Sequence, residues 1–217
     1  VADHVALSDA VAATDAVLAD TEIPSELATK IGGSYEDQKD MFGDLIMLLI
    51  MIIILVYIVM ASQFESFMSP FVIMFSIPFA FVGVLLGLFV TGTPLGAMGM
   101  IGILILMGIV VKNGIVLIDY TILMQERGHS VEEASTIAAQ SRLRPILMTT
   151  LTTVLGMIPM AVGQGEGSEM WRSLGMVVAW GLSISTLVTL VIIPTVYASM
   201  ASWQERRAER KAAKANK

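Results

Sequence analysis

Residues 108–120, GIVVKNGIVLIDY, read as a helix meant for lipid except at Lys112 and Asn113. A lysine at the centre of a membrane helix costs about 2.5–3.5 kcal/mol, and such residues face a bundle interior or an aqueous cavity. Tyr120 lies eight residues further on, roughly 12 Å along a helix axis. The lysine stem reaches about half that distance, so snorkelling relieves the cost only in part. Asp119, seven residues from Lys112, falls on the same helical face but nearer the end of the span. Two readings of the pair stay open at this point: a snorkelling lysine with a solvated aspartate, or a lysine that meets a buried counter-charge.

The sequence around this stretch is equally apolar. The chain has 217 residues, 55% of them hydrophobic, against about 45–50% in soluble domains. The excess falls after residue 41 in runs of roughly 20 residues with almost no charge, the length a helix needs to cross a bilayer. Five spans are predicted, at about 42–62, 68–90, 97–121, 145–163 and 174–199. The joints carry turn or interface chemistry, in SQFESFMSP, TGTPLG, the polar stretch 125–144 and GQGEGSEMW. The fold class expected is therefore an all-α polytopic membrane protein.

Charge orients it. The tail 201–217 holds Arg206, Arg207, Arg210, Lys211, Lys214 and Lys217, and the 125–144 joint holds Arg127, Arg142 and Arg144. The positive-inside rule puts both on the cytoplasmic side. Five spans then place residues 1–40 outside, and this segment has only Lys30 and Lys39 as basic residues among its many carboxylates. The net charge of −6 reflects this division, and nothing in it suggests nucleic acid. There is no cysteine, which excludes thiol redox chemistry and thiolate metal sites. Within 1–40, SDAVAATDAVLAD has helical spacing and SELATKIGG reads as a short strand. One helix and one strand cannot bury a core, so this segment is expected to close a larger outer domain.

The span after the joint offers a polar stripe of its own. RLRPILMTTLTTVLG places Arg142, Thr149, Thr152, Thr153 and Gly156 at helical steps, with Thr149 about 10 Å beyond Arg142. Antiparallel to the previous span, it brings Thr149 to the depth of Lys112. The threonines also fit ordinary helix packing, and Arg142 and Arg144 fit cytoplasmic anchoring. None of the five spans carries a carboxylate near mid-depth. A buried lysine needs a counter-charge, so either Lys112 is neutral or its acidic partner lies on helices outside these 217 residues.

GIVVKNGIVLIDY, followed about twenty residues on by RLRPILMTTLTTVLGMIPMA, resembles the C-terminal membrane half of resistance-nodulation-division efflux permeases, hydrophobe/amphiphile branch. IGGSYEDQKDMFGDL, ASQFESFMSPFVIMFSIPFAFVG and GLSISTLVTLVIIPTVY fit the same family in order and spacing, so the resemblance covers essentially the whole chain. It implies the last five of twelve membrane helices, preceded at 1–40 by a small α+β remnant of the periplasmic porter domain. It implies a homotrimer in the bacterial inner membrane that exchanges protons for drugs or other amphiphiles, with a periplasmic adaptor and an outer-membrane channel as partners. In such pumps an aspartate pair in the first membrane half works with a lysine, an arginine and a threonine of the second. By motif these are Lys112, Arg142 and Thr149, with Asn113 as neighbour and Asp119, Arg144 and Thr153 as secondary candidates. The partner that Lys112 lacks would then be the N-terminal half of the same permease.

Other features are weaker. SVEEASTIAAQ carries a capping-box pattern, Ser130 with Glu133, and predicts a short helix on the cytoplasmic surface between two spans. Sixteen methionines raise Cu(I) handling through thioethers, but only Met98/Met100 and Met157/Met160 lie close together, and methionine is an ordinary apolar residue in membranes. No resident metal or cofactor is expected. His4 and His129 fall on opposite sides, no hydrolase or HExxH arrangement occurs, and an enzyme is not expected. The alternatives to drug efflux are a non-transporting membrane scaffold or accessory subunit, and a relative that exports lipids or metal ions.

Overall fold

The protein, a computed structural model, is described at residues 11, 13, 14, 16–18, 34–163 and 167–215. It divides into two compact units, Val1–Leu48 and Leu49–Lys217. In the first, the described residues between 11 and 18 are helical, in line with the spacing of SDAVAATDAVLAD. The strand expected over SELATKIGG lies outside the described residues.

Six helices follow: α1 (Ser34–Gln63), α2 (Met68–Met74), α3 (Ser76–Thr91), α4 (Ala97–Glu126), α5 (Val131–Val162) and α6 (Ser168–Ala215). No strand occurs among the described residues. Among the described residues five helical segments are long and apolar enough to cross a membrane: Lys39–Gln63, Met68–Thr91, Ala97–Glu126, Val131–Val162 and Met170–Ala201. The all-α polytopic class and its five spans follow from the apolar runs.

Three local departures have physical reasons. The span expected over 68–90 is interrupted at Phe75, between α2 and α3. Pro78 has no N–H to offer the carbonyl of Met74, and the Phe75 N–H instead bonds the Val72 carbonyl at 3.2 Å. The Ser76 hydroxyl donates to the Ile73 carbonyl at 2.7 Å, which satisfies a polar group that lipid cannot.

The second departure corrects the separate surface helix expected before the fourth span. Residues 131–162 form one continuous helix that runs through Pro145. A proline removes one intrahelical hydrogen bond, and the carbonyl it strips, four residues back, belongs to the exposed Ser141. The capping box at the start is present: Glu133 N–H donates to Ser130 Oγ and Ser130 N–H to Glu133 Oε2, both at 3.3 Å. Third, the basic segment 201–217 extends α6 as helix to Ala215. Its side chains beyond Trp203 lie outside the described residues.

Within the second unit α6 is the central element, packed on α3, α4 and α5. Glycines let the backbones approach. A Cβ at Gly175 would stand 2.7 Å from the Ala161 backbone nitrogen on α5, and one at Gly83 would stand 3.0 Å from the Trp180 carbonyl oxygen on α6. Small residues at such crossings are how membrane helices gain contact without a hydrophobic drive. The α3–α4 turn, read from TGTPLG, closes with Gly92 in the left-handed region (φ 61°) and Thr93 N–H bonded to the Leu88 carbonyl at 3.2 Å. Ser173 Oγ donates to the Pro94 carbonyl at 3.1 Å and ties α6 to that turn.

Candidate functional site

Helix α4 carries the stretch GIVVKNGIVLIDY, residues 108–120. Its inward face consists of Gly102, Leu106, Val110, Gly114, Leu117 and their neighbours, all buried. Lys112 lies on the opposite stripe, with Ile105, Gly108, Asp119 and Leu123, and all five are exposed. Lys112 and Asp119 therefore share a face, as their spacing of seven predicts. Asn113, one position round, is half-buried. Among the described residues Lys112, Asn113, Asp119 and Arg144 form no hydrogen bond or ion pair, and the one close basic–acidic pair is His129 Nδ1 with Glu133 Oε2 at 3.8 Å.

The threonine stripe of α5 is also uncovered. Thr149 and Thr152 are exposed, Thr153 is half-buried, and nothing lies within 4 Å of a Cβ at Gly156. Their hydroxyls turn back on their own helix. Thr149 Oγ1 donates to the Pro145 carbonyl at 2.9 Å, Thr152 to Met148 at 2.8 Å and Thr153 to Thr149 at 2.9 Å. This is the usual resting arrangement of a helical threonine with no polar partner across the helix boundary. No hydrogen bond links Thr149 to Lys112 among the described residues.

Arg142 is the predicted site residue that the structure does bring into contact. Its guanidinium carbon stands 4.6 Å from the centre of the Tyr120 ring, across the α4–α5 boundary. The side chain is half-buried, and its Nε is buried without a hydrogen-bond partner. A guanidinium over an aromatic face is held by the ring's quadrupole.

Sequence reasoning missed three pairs. Tyr120 was part of the quoted stretch but had no role, although an aromatic at a span end faces the start of the next antiparallel span. Thr150 and Thr186 share a buried hydrogen bond at 3.1 Å that joins α5 to α6. Tyr197 donates to Gln125 Oε1 at 3.3 Å and joins α6 to the end of α4. Helical spacing sets Thr150 off the stripe of Thr149, Thr152 and Thr153, but only packing shows that it meets Thr186.

These features, five membrane-capable helices among the described residues with an isolated lysine and a ring-held arginine on adjacent spans, define a polytopic helical membrane domain. The AcrB/AcrD/AcrF family model matches residues 1–201. The chain belongs to this family, and the resemblance to resistance-nodulation-division permeases holds. It is 45% identical over 133 residues to the swarming motility protein SwrC of Bacillus subtilis, covering 61% of this chain and 13% of that protein. It is 40% identical over 122 residues to the cobalt-zinc-cadmium resistance protein CzcA of Cupriavidus metallidurans, covering 56% and 12%. Over 214 residues it is 34% identical to the multidrug resistance protein MdtC of Proteus mirabilis, covering 96% of this chain and 21% of that protein. A crystal structure of a heavy metal efflux pump matches with a TM-score of 0.77 at 30% identity, over 90% of this chain and 20% of that one. The chain thus spans about a fifth or less of the length of these relatives.

Proposed function

We propose that the chain is the C-terminal membrane part of a proton-driven efflux permease and supplies the Lys112, Arg142 and Thr149 side of its proton relay. The observation that carries this reading is Lys112 itself: mid-span, on the uncovered face of α4, with no counter-charge among the described residues. A lysine so placed in lipid is costly unless another element covers it with an acidic group. The aspartate pair of the N-terminal half, implied by the family resemblance, is that group.

In this mechanism ionised aspartates hold Lys112 and the facing helices together. Protonation from the periplasm removes their charge, and Lys112 turns toward Asn113 and Thr149. Thr149, whose hydroxyl now bonds its own helix, is free to rotate toward an arriving ammonium. The two arrangements form a bistable element, biased by about 2.3 kcal/mol per charge per 100 mV. Asp119, Arg144 and Thr153 have secondary roles at the cytoplasmic end and along the α5 stripe. The whole protein is a homotrimer of the bacterial inner membrane, with residues 1–40 periplasmic and 201–217 cytoplasmic. It works with a periplasmic adaptor and an outer-membrane channel, and its cargo is hydrophobic or amphiphilic compounds.

Lys112→Ala in the full-length permease is expected to abolish export of an amphiphilic dye from energised cells while the amount and oligomeric size of the protein stay unchanged. Wild-type export by that variant would sink the relay. A second reading, export of divalent metal ions, is favoured by the 40% identity to the cobalt-zinc-cadmium resistance protein and by the heavy-metal pump structure. Parallel assays of dye retention and cellular zinc and cobalt content separate the two cargoes, and Lys112→Ala affects whichever is exported.

A further inference from the structure

We infer that Tyr120 is the positioning residue of Arg142, holding its guanidinium in place without neutralising it. This rests on the proposed relay role of Arg142. The two residues meet at 4.6 Å, guanidinium carbon to ring centre, one from α4 and one from α5. Arg142 is half-buried and forms no ion pair among the described residues; its Nε is buried and has no hydrogen-bond acceptor. The nearest acidic residue in sequence to Tyr120 is Asp119, which is exposed and unpaired.

Arginine in this setting is normally fixed by a carboxylate fork. That would orient the side chain but cancel its charge, and protonation of the carboxylate would release it. An aromatic face orients the same planar cation through its quadrupole, carries no net charge and takes up no proton. The ring itself therefore leaves the positive charge of Arg142 intact whatever the protonation state of the relay. At a half-buried position such a fixed charge is only partly screened, and it favours the ionised form of neighbouring proton carriers. The Tyr120–Arg142 stack thus supplies a constant positive charge on the side of the bundle where protons leave, while Lys112 supplies the charge that moves.

The test uses full-length permease in proteoliposomes with an imposed proton gradient, at matched amounts of assembled protein. Tyr120→Phe, which keeps the ring face, is expected to transport within about twofold of wild type. Tyr120→Leu, which has no quadrupole, is expected to lose about threefold to tenfold, as a half-buried cation–π contact predicts. Tyr120→Leu combined with Arg142→Ala should transport no less than Arg142→Ala alone, because the two act as a unit.

A series of phenylalanines at position 120 bearing one, two and three ring fluorines weakens the quadrupole at nearly constant shape. It keeps the question answerable if Tyr120→Leu assembles poorly. Transport that falls stepwise with fluorination supports the inference, and a flat series overturns it. If Arg142→Ala is inactive and the Tyr120 series is flat, only the positioning role fails. If Arg142→Ala transports like wild type, the relay role of Arg142 and this inference fall together.

Discussion

Helices α1 and α4 are equally suited to a bilayer by length and composition, yet the protein treats them differently. Half of the apolar window of Ala97–Glu126 is buried (50%), against 11% for Lys39–Gln63. The two helices also differ in side-chain size. Helix α4 presents Gly99, Gly102 and Gly114 to its neighbours, where a Cβ at Gly102 would lie 3.2 Å from Val177 and 3.3 Å from the Leu174 carbonyl oxygen. The span of α1 is LIMLLIMIIILVYIVM with Gly43 before it, and nothing lies within 4 Å of a Cβ there. Bulky aliphatic residues dissolve in lipid as well as they pack on a helix, so they give no reason to associate. Small residues do, because they let backbones and hydroxyls meet.

The contrast is open to direct attack. The largest effect is expected at the tightest crossing. Gly175→Leu forces a side chain onto the Ala161 backbone, 2.7 Å from its nitrogen, and should lower stability by about 3 kcal/mol, the upper end for overpacking. Thermal unfolding in detergent reads it, and an unchanged midpoint would mean that α5 and α6 are not in backbone contact. Next, Leu106→Ala removes a side chain that is 0% exposed on α4, while Ile54→Ala trims one that is 55% exposed on α1. The former should cost about 2 kcal/mol by leaving a cavity, the latter within about 0.5 kcal/mol. Equal costs would erase the distinction between the packed and the bare helix.

The smallest effect concerns the threonines. Thr150→Val and Thr186→Val, taken singly and together, should reveal a coupling of about 0.6 kcal/mol for their shared hydrogen bond, the average for such bonds in membranes. The same cycle with Thr149→Val in place of Thr150→Val should show none, because the Thr149 hydroxyl bonds its own helix. Coupling in both cycles would mean that the α5 threonines are interchangeable.

Particular residues show where reading from sequence stopped. The capping box at Ser130 and Glu133 and the turn at Gly92 were legible because each rests on groups within a few residues. The break at Phe75 also had a local cause in Pro78, although hydropathy smoothed over it. Pro145 carries the same local signal and breaks nothing. The stripe shared by Lys112 and Asp119 followed from helical spacing alone. Its counterpart on α5, the stripe of Arg142, Thr149, Thr152, Thr153 and Gly156, also follows from helical spacing and is exposed or half-buried, whereas nothing in the sequence marked Thr150 for the buried contact with Thr186. The ring beneath Arg142 had no signal of its own, because Tyr120 at a span end fits an interfacial anchor equally well.

The sequence by itself determined that residues from 41 onward are helical, where five membrane-capable helices lie among the described residues, and that one of them carries a lysine with no acidic match at its depth. Those properties depend on transfer of single residues into lipid and on the helical repeat, and both are additive along the chain. Only the tertiary structure decided which apolar face turns inward, which threonine bonds across to α6, and that Arg142 rests on Tyr120. In an apolar solvent no face of an apolar helix is hidden by hydrophobicity. Contact is chosen instead by the fit of small residues, hydroxyls and one aromatic ring between helices, and that fit exists only once the helices are side by side.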